Sequence, residues 1–307
     1  MNSANSASKP IVIIVNHALP EDTIKCVDSV LSSDMGRVPV LLVDNGSKDD
    51  SVERLKRRYP EIPLVSLPEN TGFVGGFNTG IQQALATDAT HLFVLNNDTV
   101  VDPSAIREML QAGWDIAVPK IVFYDRPEII WSAGARWRFF PPSVHIVGSG
   151  KKDAPVYNIP GPLEYATSCA LVVRREVFEK IGGFDPLFQS YGEDLDFFYR
   201  AKQAGIRVGY VPAARILHKV SLTTQWLPGL RRRYLGRSTM LFFRKEKRFP
   251  LWQVYLSIAW KLLREILLGN PQHLPDYWRG YRDGFRELRR ADGRAQHDGK
   301  AGVSEEL

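Results

Sequence analysis

The chain has 307 residues, 44% hydrophobic and 24% charged, with a formal net charge of +6, which leaves room for one large domain and an appendage. The modest positive excess suits anionic partners such as nucleotides, diphosphates or an acidic lipid surface, and the absence of a recognition motif argues against a nucleic-acid partner. Cys26 and Cys169 stand alone without metal-ligand spacing, which excludes a disulfide framework and a structural zinc and fits a reducing cytoplasm.

Residues 1–9 are Ser/Ala/Asn-rich and read as a flexible terminus, without the apolar centre of a signal peptide. No run reaches the ~18 apolar residues of a spanning helix. From Pro10 the pattern alternates apolar runs with amphipathic stretches: Ile11–Val15, then Glu21–Ser32, then Val38–Val43, then Asp49–Tyr59. Continuous β-branched runs between helical segments predict buried parallel strands with crossover helices. A third strand is expected at Leu64–Ser66, a helix over Phe73–Ala86 and a fourth strand at His91–Leu95. Residues Trp131–Pro162, rich in aromatic, Gly and Pro residues, predict loops and a hairpin over the sheet edge, a candidate wall for an acceptor cleft. Cys169–Val173 reads as a strand, Arg175–Ile181 and Asp194–Ala204 as helices, and Arg207–Val211 as the last core strand. Beyond residue 220 the composition changes. Leu230–Lys247 and Leu251–Leu268 combine Arg and Lys with aromatic and Leu residues at helical spacing, as amphipathic helices do. The stretch 291–307 is polar and reads as disordered.

Four segments carry candidate chemistry. Asp44, in Val43-Asp44-Asn45-Gly46-Ser47, ends an apolar strand where it can bind a nucleoside; the competing reading is a helix cap. Asn70-Thr71-Gly72-Phe73-Val74-Gly75-Gly76-Phe77-Asn78 is a glycine-rich helix entry whose amides can approach a diphosphate, or a simple turn. Asp98, in Asn96-Asn97-Asp98-Thr99, follows the fourth strand. A hard divalent ion needs only one or two carboxylates when diphosphate oxygens complete its shell, so Asp98 is the best metal candidate; the alternative is an ordinary strand terminator. Tyr191-Gly192-Glu193-Asp194-Leu195-Asp196 sets three carboxylates at a loop-to-helix junction, as a general base or as helix caps. His218, after the last predicted strand, can supply an imidazole to a metal or serve structure alone.

Together, and in this order, these motifs with Gly182-Gly183-Phe184-Asp185 resemble glycosyltransferase family 2, and particularly its bacterial rhamnosyltransferase-like branch, from about Ile11 to His218. The resemblance implies a GT-A fold, an α/β Rossmann-like nucleotide-binding mixed sheet flanked by helices over residues 10–220. C-terminal amphipathic helices over 221–290 are added to it, with possible contact to a membrane. It also implies roles. Asp44 matches the nucleoside-binding aspartate, and Asn16, Gly72, Gly75, Gly76, Asn78 and Asn97 join it as donor-binding candidates. Asp98 takes the last position of the family's Asp-x-Asp metal motif, where Asn96 replaces the first aspartate and removes a charge. His218 matches a histidine that helps hold metal (Mg²⁺ or Mn²⁺) or diphosphate. Asp194 falls on the family's general base, with Glu193 orienting the loop or acceptor.

The implied reaction is inverting transfer of a sugar, with rhamnose the leading candidate, from a dTDP- or UDP-linked donor to a glycan or polyprenyl-diphosphate-linked acceptor in cell-surface polysaccharide synthesis. The enzyme would be cytoplasmic and peripheral at the inner face of the plasma membrane. Trp252, Trp260, Lys261 and Arg264 suit that interface, or equally packing against a partner. The competing functions are a nucleotidyltransferase and a non-catalytic carbohydrate-binding or membrane-peripheral protein.

Overall fold

The computed structural model describes residues 8–138, 143–220, 228–245 and 250–301. In chain order, β1 (Pro10–Asn16), α1 (Pro20–Leu31), β2 (Val40–Asp44), α2 (Ser51–Arg58), β3 (Leu64–Ser66), α3 (Gly72–Leu85) and β4 (His91–Asn96) form the first half of an α/β unit. Their strands pair in parallel in the order β3-β2-β1-β4. Val12, Ile13, Ile14, Leu42, Val43 and Phe93 are wholly or almost wholly buried, as a strand covered by helices on both faces requires. Each such side chain contributes roughly 1.5–3 kcal/mol by leaving water. The chain winds outward from β1 to β3 and then crosses to β4 on the other side of β1. That reversal opens a crevice at the carboxyl ends of β1 and β4, the place where open α/β sheets bind ligands.

The second half contains β5 (Thr99–Val101), α4 (Ala105–Gln111), β6 (Ile116–Phe123), β7 (Ile130–Ser132), β8 (Ala135–Arg138), β9 (Ser143–Ile146), β10 (Gly161–Pro162), β11 (Ala170–Arg174), α5 (Arg175–Ile181), α6 (Glu193–Gln203) and β12 (Val208–His218). β11 lies antiparallel between β4 and β6, and β12 runs parallel to β6. The sheet is therefore mixed. As a result the carboxyl ends of β1, β2, β4 and β12 share one edge, and the start of β11 arrives at the same edge.

Two strands differ from the sequence reading. β6 was not anticipated, because Pro119 and Lys120 interrupt its apolar run. Lys120 is nonetheless buried, its ammonium donating to Asp153 Oδ1 at 2.9 Å, to Oδ2 at 3.0 Å, and to Asn158 Oδ1. β12 does not stop at Val211: a register shift between Val211 and Arg215 carries it on to His218, which is the strand's last residue and not part of a following loop. Within Trp131–Pro162, β8 and β9 form a two-stranded sheet of their own; residues 139–142 between them lie outside the described residues.

A second compact unit takes in Ser190–Gly192 and the C-terminal helices α7 (Pro228–Lys245), α8 (Leu251–Leu267) and α9 (Leu274–Ala301). α9 was not anticipated, and it continues past Arg290 into the stretch that composition marked as disordered. Residues 1–7 and 302–307 are outside the description. α7 and α9 meet backbone to backbone through glycines: a Cβ on Gly280 would stand 2.0 Å from Arg233 O, and one on Gly284 2.7 Å from Arg237 O. Of the two readings for Lys261, an interface or packing, its side chain takes the second. Its Nζ donates to Thr239 Oγ1, and burial lowers its pKa to about 8.

α3 packs on β1 through Gly80, where a Cβ would lie 2.3 Å from Ile13 Cγ2 and 3.3 Å from Val43 Cγ2. Ile13 and Val43 are fully buried and have no space to move into. Gly80→Val is expected to destabilise the protein by about 1–3 kcal/mol through overpacking, despite removing a helix glycine. Chemical denaturation with unchanged or increased stability would show that α3 can shift away from the sheet.

Candidate active site at the strand ends

Asp44, the last residue of β2, is 1% exposed, and a buried carboxylate must be compensated by hydrogen bonds. Asn16 Nδ2, at the end of β1, donates to Asp44 Oδ1 at 2.8 Å. Ser47 donates its hydroxyl to Oδ1 at 2.6 Å and its amide to Oδ2 at 3.0 Å. Asn16 Oδ1 accepts from Thr23 Oγ1 at 2.7 Å, and Thr23 Oγ1 accepts from Asn97 Nδ2 at 2.9 Å. A single polar chain thus connects the ends of β2, β1 and β4. It joins three of the expected donor-site residues, Asp44, Asn16 and Asn97. Ser47 serves Asp44 and does not cap α2, which begins four residues later with Asp49 Oδ1 accepting from Ser51 N at 3.1 Å.

The glycine-rich entry to α3 is differently occupied. Asn45 Oδ1 accepts from the Thr71 amide at 3.0 Å, Asn70 Oδ1 from the Gly72 amide at 2.8 Å, and Gln189 O from the Val74 amide at 3.5 Å. Three amides expected to face a diphosphate therefore have protein partners. Gly72 has φ +75° and leaves room for Gln189 O, 2.9 Å from where its Cβ would be. Gly75 accommodates the Thr71 hydroxyl, and Gly76 lets α3 approach Val15. Asn78 likewise serves structure: Nδ2 donates to Phe184 O at 2.7 Å and Oδ1 accepts from Phe184 N at 2.9 Å. It braces the Gly182–Asp185 turn.

Asp98 and His218 meet at the same edge. His218 Nε2 lies 3.2 Å from Asp98 Oδ1, with both side chains almost wholly buried, because β5 pairs Thr99 with His218. Trp131 sets its ring edge-on to the imidazole at 4.6 Å. Burial alone would lower the imidazole's pKa, but the Cys169 sulfur and the Asp98 carboxylate outweigh it and raise His218 to about 10. Among the described residues, Asn96 Oδ1 is buried without a hydrogen-bond partner. Among the described residues no cluster of three or more His, Cys, Asp or Glu side chains is placed to hold a metal. The pair therefore fits a divalent cation only as a partial shell that diphosphate oxygens complete, with the cation taking the place of the imidazolium's Nε2 proton.

Glu193 and Asp194 open α6. Cys169 O accepts from the Asn96 amide at 2.9 Å, so the residues before β11 lie at the end of β4. From there Ser168 Oγ donates to Glu193 Oε1 at 3.1 Å. Tyr165 packs on Phe198 at 5.7 Å, and burial together with the neighbouring Asp194 carboxylate pushes its phenol well above its usual range; Asp194 Oδ1 accepts from the Leu195 amide at 2.7 Å. Asp194 is half-buried. Asp196 is fully buried and bound to Arg200 Nε at 2.7 Å, while Arg200 also donates to Ile181 O and Gly183 O. That ion pair holds the turn and withdraws Asp196 from acid–base work.

A family model described as Glycosyl transferase family 2 matches residues 11–182, more than half of the chain. The chain belongs to that family. A second model, described as the N-terminal domain of galactosyltransferase, matches residues 151–222. The N-acetylglucosaminyl-diphospho-decaprenol L-rhamnosyltransferase of Mycobacterium tuberculosis is 27% identical over 255 residues, 76% of this chain and 82% of the relative. The low-salt glycan biosynthesis hexosyltransferase of Haloferax volcanii is 26% identical over 214 residues, 67% of this chain and 66% of the relative. A crystal structure of GalNAc-T7 with UDP, GalNAc and Mn²⁺ superposes with a TM-score of 0.57 at 18% identity, covering 80% of this chain and 52% of that one. This likeness establishes the GT-A fold. The protein is thus a family 2 glycosyltransferase, an enzyme that uses a nucleotide-sugar donor.

The sequence reading of this glycosyltransferase missed Thr23, Ser168 and Tyr165, since single hydroxyl residues carry no spacing signal of their own. Asn78 separates a structural role from a ligand role. Asn78→Ala leaves the Phe184 amide and carbonyl without partners, at about 1–3 kcal/mol for each buried group. A lower unfolding midpoint with unchanged donor affinity in the folded fraction is expected by calorimetry. Weakened donor binding without loss of stability would return Asn78 to the donor site.

Proposed function

We propose that the enzyme transfers a hexose, with rhamnose the leading candidate, from a dTDP- or UDP-linked donor to a hydroxyl of a glycan or polyprenyl-diphosphate-linked acceptor, inverting the anomeric carbon, in cell-surface polysaccharide synthesis. The decaprenol-linked acceptor in the name of the mycobacterial relative supports the acceptor class. Such an acceptor would place the reaction on the cytoplasmic side, at the inner face of the plasma membrane. The observation that carries the reading is the Asp98–His218 pair at the strand-end edge, toward which Ser168, just before β11, holds the Glu193 carboxylate beside Asp194.

In this reading the nucleoside sits beside Asp44 and Asn16, with Gly72–Gly76 as a wall and Asn97 near the diphosphate. Asp98 and His218 would hold Mg²⁺ or Mn²⁺, which when bound stabilises negative charge on the departing diphosphate. Asp194 accepts the proton of the acceptor hydroxyl as that oxygen attacks the anomeric carbon from the face opposite the leaving group. The Leu195 amide, which donates to its Oδ1, fixes the carboxylate's direction, and Glu193, tied to Ser168, orients the acceptor. Fixed charges on both sides of an oxocarbenium-like transition state lower its energy without reorganisation during the reaction.

Asp194→Asn preserves shape but cannot take the proton. Its expected result is a loss of turnover of about 10²- to 10⁴-fold with donor affinity retained. Asp98→Asn is expected to weaken metal-dependent donor binding as well as turnover. Single-turnover rates and calorimetric donor affinities for both variants check this. Near-normal sugar transfer by folded Asp194→Asn would move the base to Glu193, and diphosphate release without sugar transfer would favour a nucleotidyltransferase.

A further inference from the structure

The polarity of α8 is inverted. Its inward residues are Val254, Ser257 and Glu265, all buried, with Lys261 turned the same way. Glu265 Oε2 accepts from Arg232 Nε of α7 at 2.9 Å, and Lys261 Nζ donates to Thr239 Oγ1 of the same helix. The outward stripe, by contrast, is apolar: Trp252, Tyr255, Leu263 and Ile266 are 59%, 67%, 47% and 52% exposed. With the exposed Ala259 between them, they recur every three or four residues and so share one face. A helix surrounded by water has the opposite arrangement. Rotating α8 to hide the stripe would pull Glu265 away from Arg232 and strand a buried charge, so the inner ion pair holds the apolar side outward.

α9 adds charge to this pattern. Trp278 and Phe285 are exposed beside Arg279, Arg282 and Arg286, at helical spacing on one face. Asp283 and Glu287 pair with Arg233 and Arg237 of α7, and Asp276 lies 3.5 Å from Arg279. Arg282 and Arg286 make no ion pair among the described residues.

We propose that the C-terminal helices dock on an anionic lipid surface through the outward faces of α8 and α9. Exposed Trp, Tyr, Leu and Ile seat at the boundary between headgroup and acyl chain, and arginines pair with lipid phosphate. Among the described residues no helix is long and apolar enough to cross a membrane, so α8, 17 residues and roughly 25 Å long, lies along the surface. A second copy of the chain is a poorer occupant, since two-fold pairing of this patch would bring its arginines toward one another. This inference deepens the reading of a membrane-resident acceptor, and its test needs neither donor nor acceptor.

The test is co-sedimentation of the full chain with vesicles of phosphatidylcholine and phosphatidylglycerol against vesicles of phosphatidylcholine alone, at low and high salt. The expected result is preferential binding to the anionic vesicles, reduced by salt. Trp252→Ser with Tyr255→Ser, and separately Arg282→Glu with Arg286→Glu, should each lower the partition coefficient by about tenfold or more, with the thermal midpoint unchanged because all four residues are exposed. Equal binding to both vesicle types, or wild-type partitioning by both folded variants, would overturn the proposal. So would light scattering that shows a dimer dissolved by the same substitutions in a protein that ignores vesicles. Vesicle binding by a chain that transfers no sugar would leave the docking surface standing and reject the functional reading alone.

Discussion

A carboxylate that is almost completely buried governs the strand-end edge. Asp44 sits where water cannot solvate it, and an uncompensated charge there would cost several kcal/mol. Asn16 and Ser47 supply the compensation, and Asn16 is itself fixed by Thr23, whose hydroxyl also anchors Asn97. The turn after β4, which presents Asp98, is therefore positioned by the same network that satisfies Asp44. One hydrogen-bonded chain thus holds Asp44 and the turn that presents Asp98 in a fixed relation. Such preorganisation is what electrostatic catalysis depends on.

The opposite wall is fixed by a different device. The antiparallel insertion of β11 beside β4 returns the chain to the strand-end edge, and Ser168, just before that strand, reaches Glu193. Arg200 meanwhile neutralises Asp196 and clamps the Gly182–Gly183 turn, and Asn78 braces Phe184. Three acidic residues within four positions thus have three different environments. Only Asp194 combines partial exposure with a hydrogen-bonded orientation.

Much of this was legible in the sequence, for physical reasons that differ by element. β1, β2 and β4 hold nearly continuous apolar runs, the signature of strands covered on both faces, and the candidates Asn16 and Asp44 end two of them. β6 was illegible because Pro119 and Lys120 break its pattern; Lys120 tolerates burial only because Asp153 and Asn158, more than 30 positions away, satisfy its ammonium. The continuation of β12 was hidden by the register shift between Val211 and Arg215. Composition marked α7 and α8 as amphipathic helices, but not which side of α8 faces out. That depends on Arg232 meeting Glu265 across two helices, a pairing no local pattern records. In the glycine-rich segment, Gly75 and Gly76 also serve close packing, against Thr71 and Val15, a demand that spacing alone does not separate from ligand approach.

The central claim is that one carboxylate and one imidazole form half of a cation site whose other half is the donor's diphosphate. Electron paramagnetic resonance of free Mn²⁺ titrated with the protein, with and without dTDP or UDP, tests it directly. Weak Mn²⁺ uptake by the protein alone, and a large increase when a nucleoside diphosphate is present, is the expected result, with both lost in Asp98→Asn. Mn²⁺ bound equally tightly without nucleotide, or nucleotide bound with no Mn²⁺ taken up at all, would contradict it.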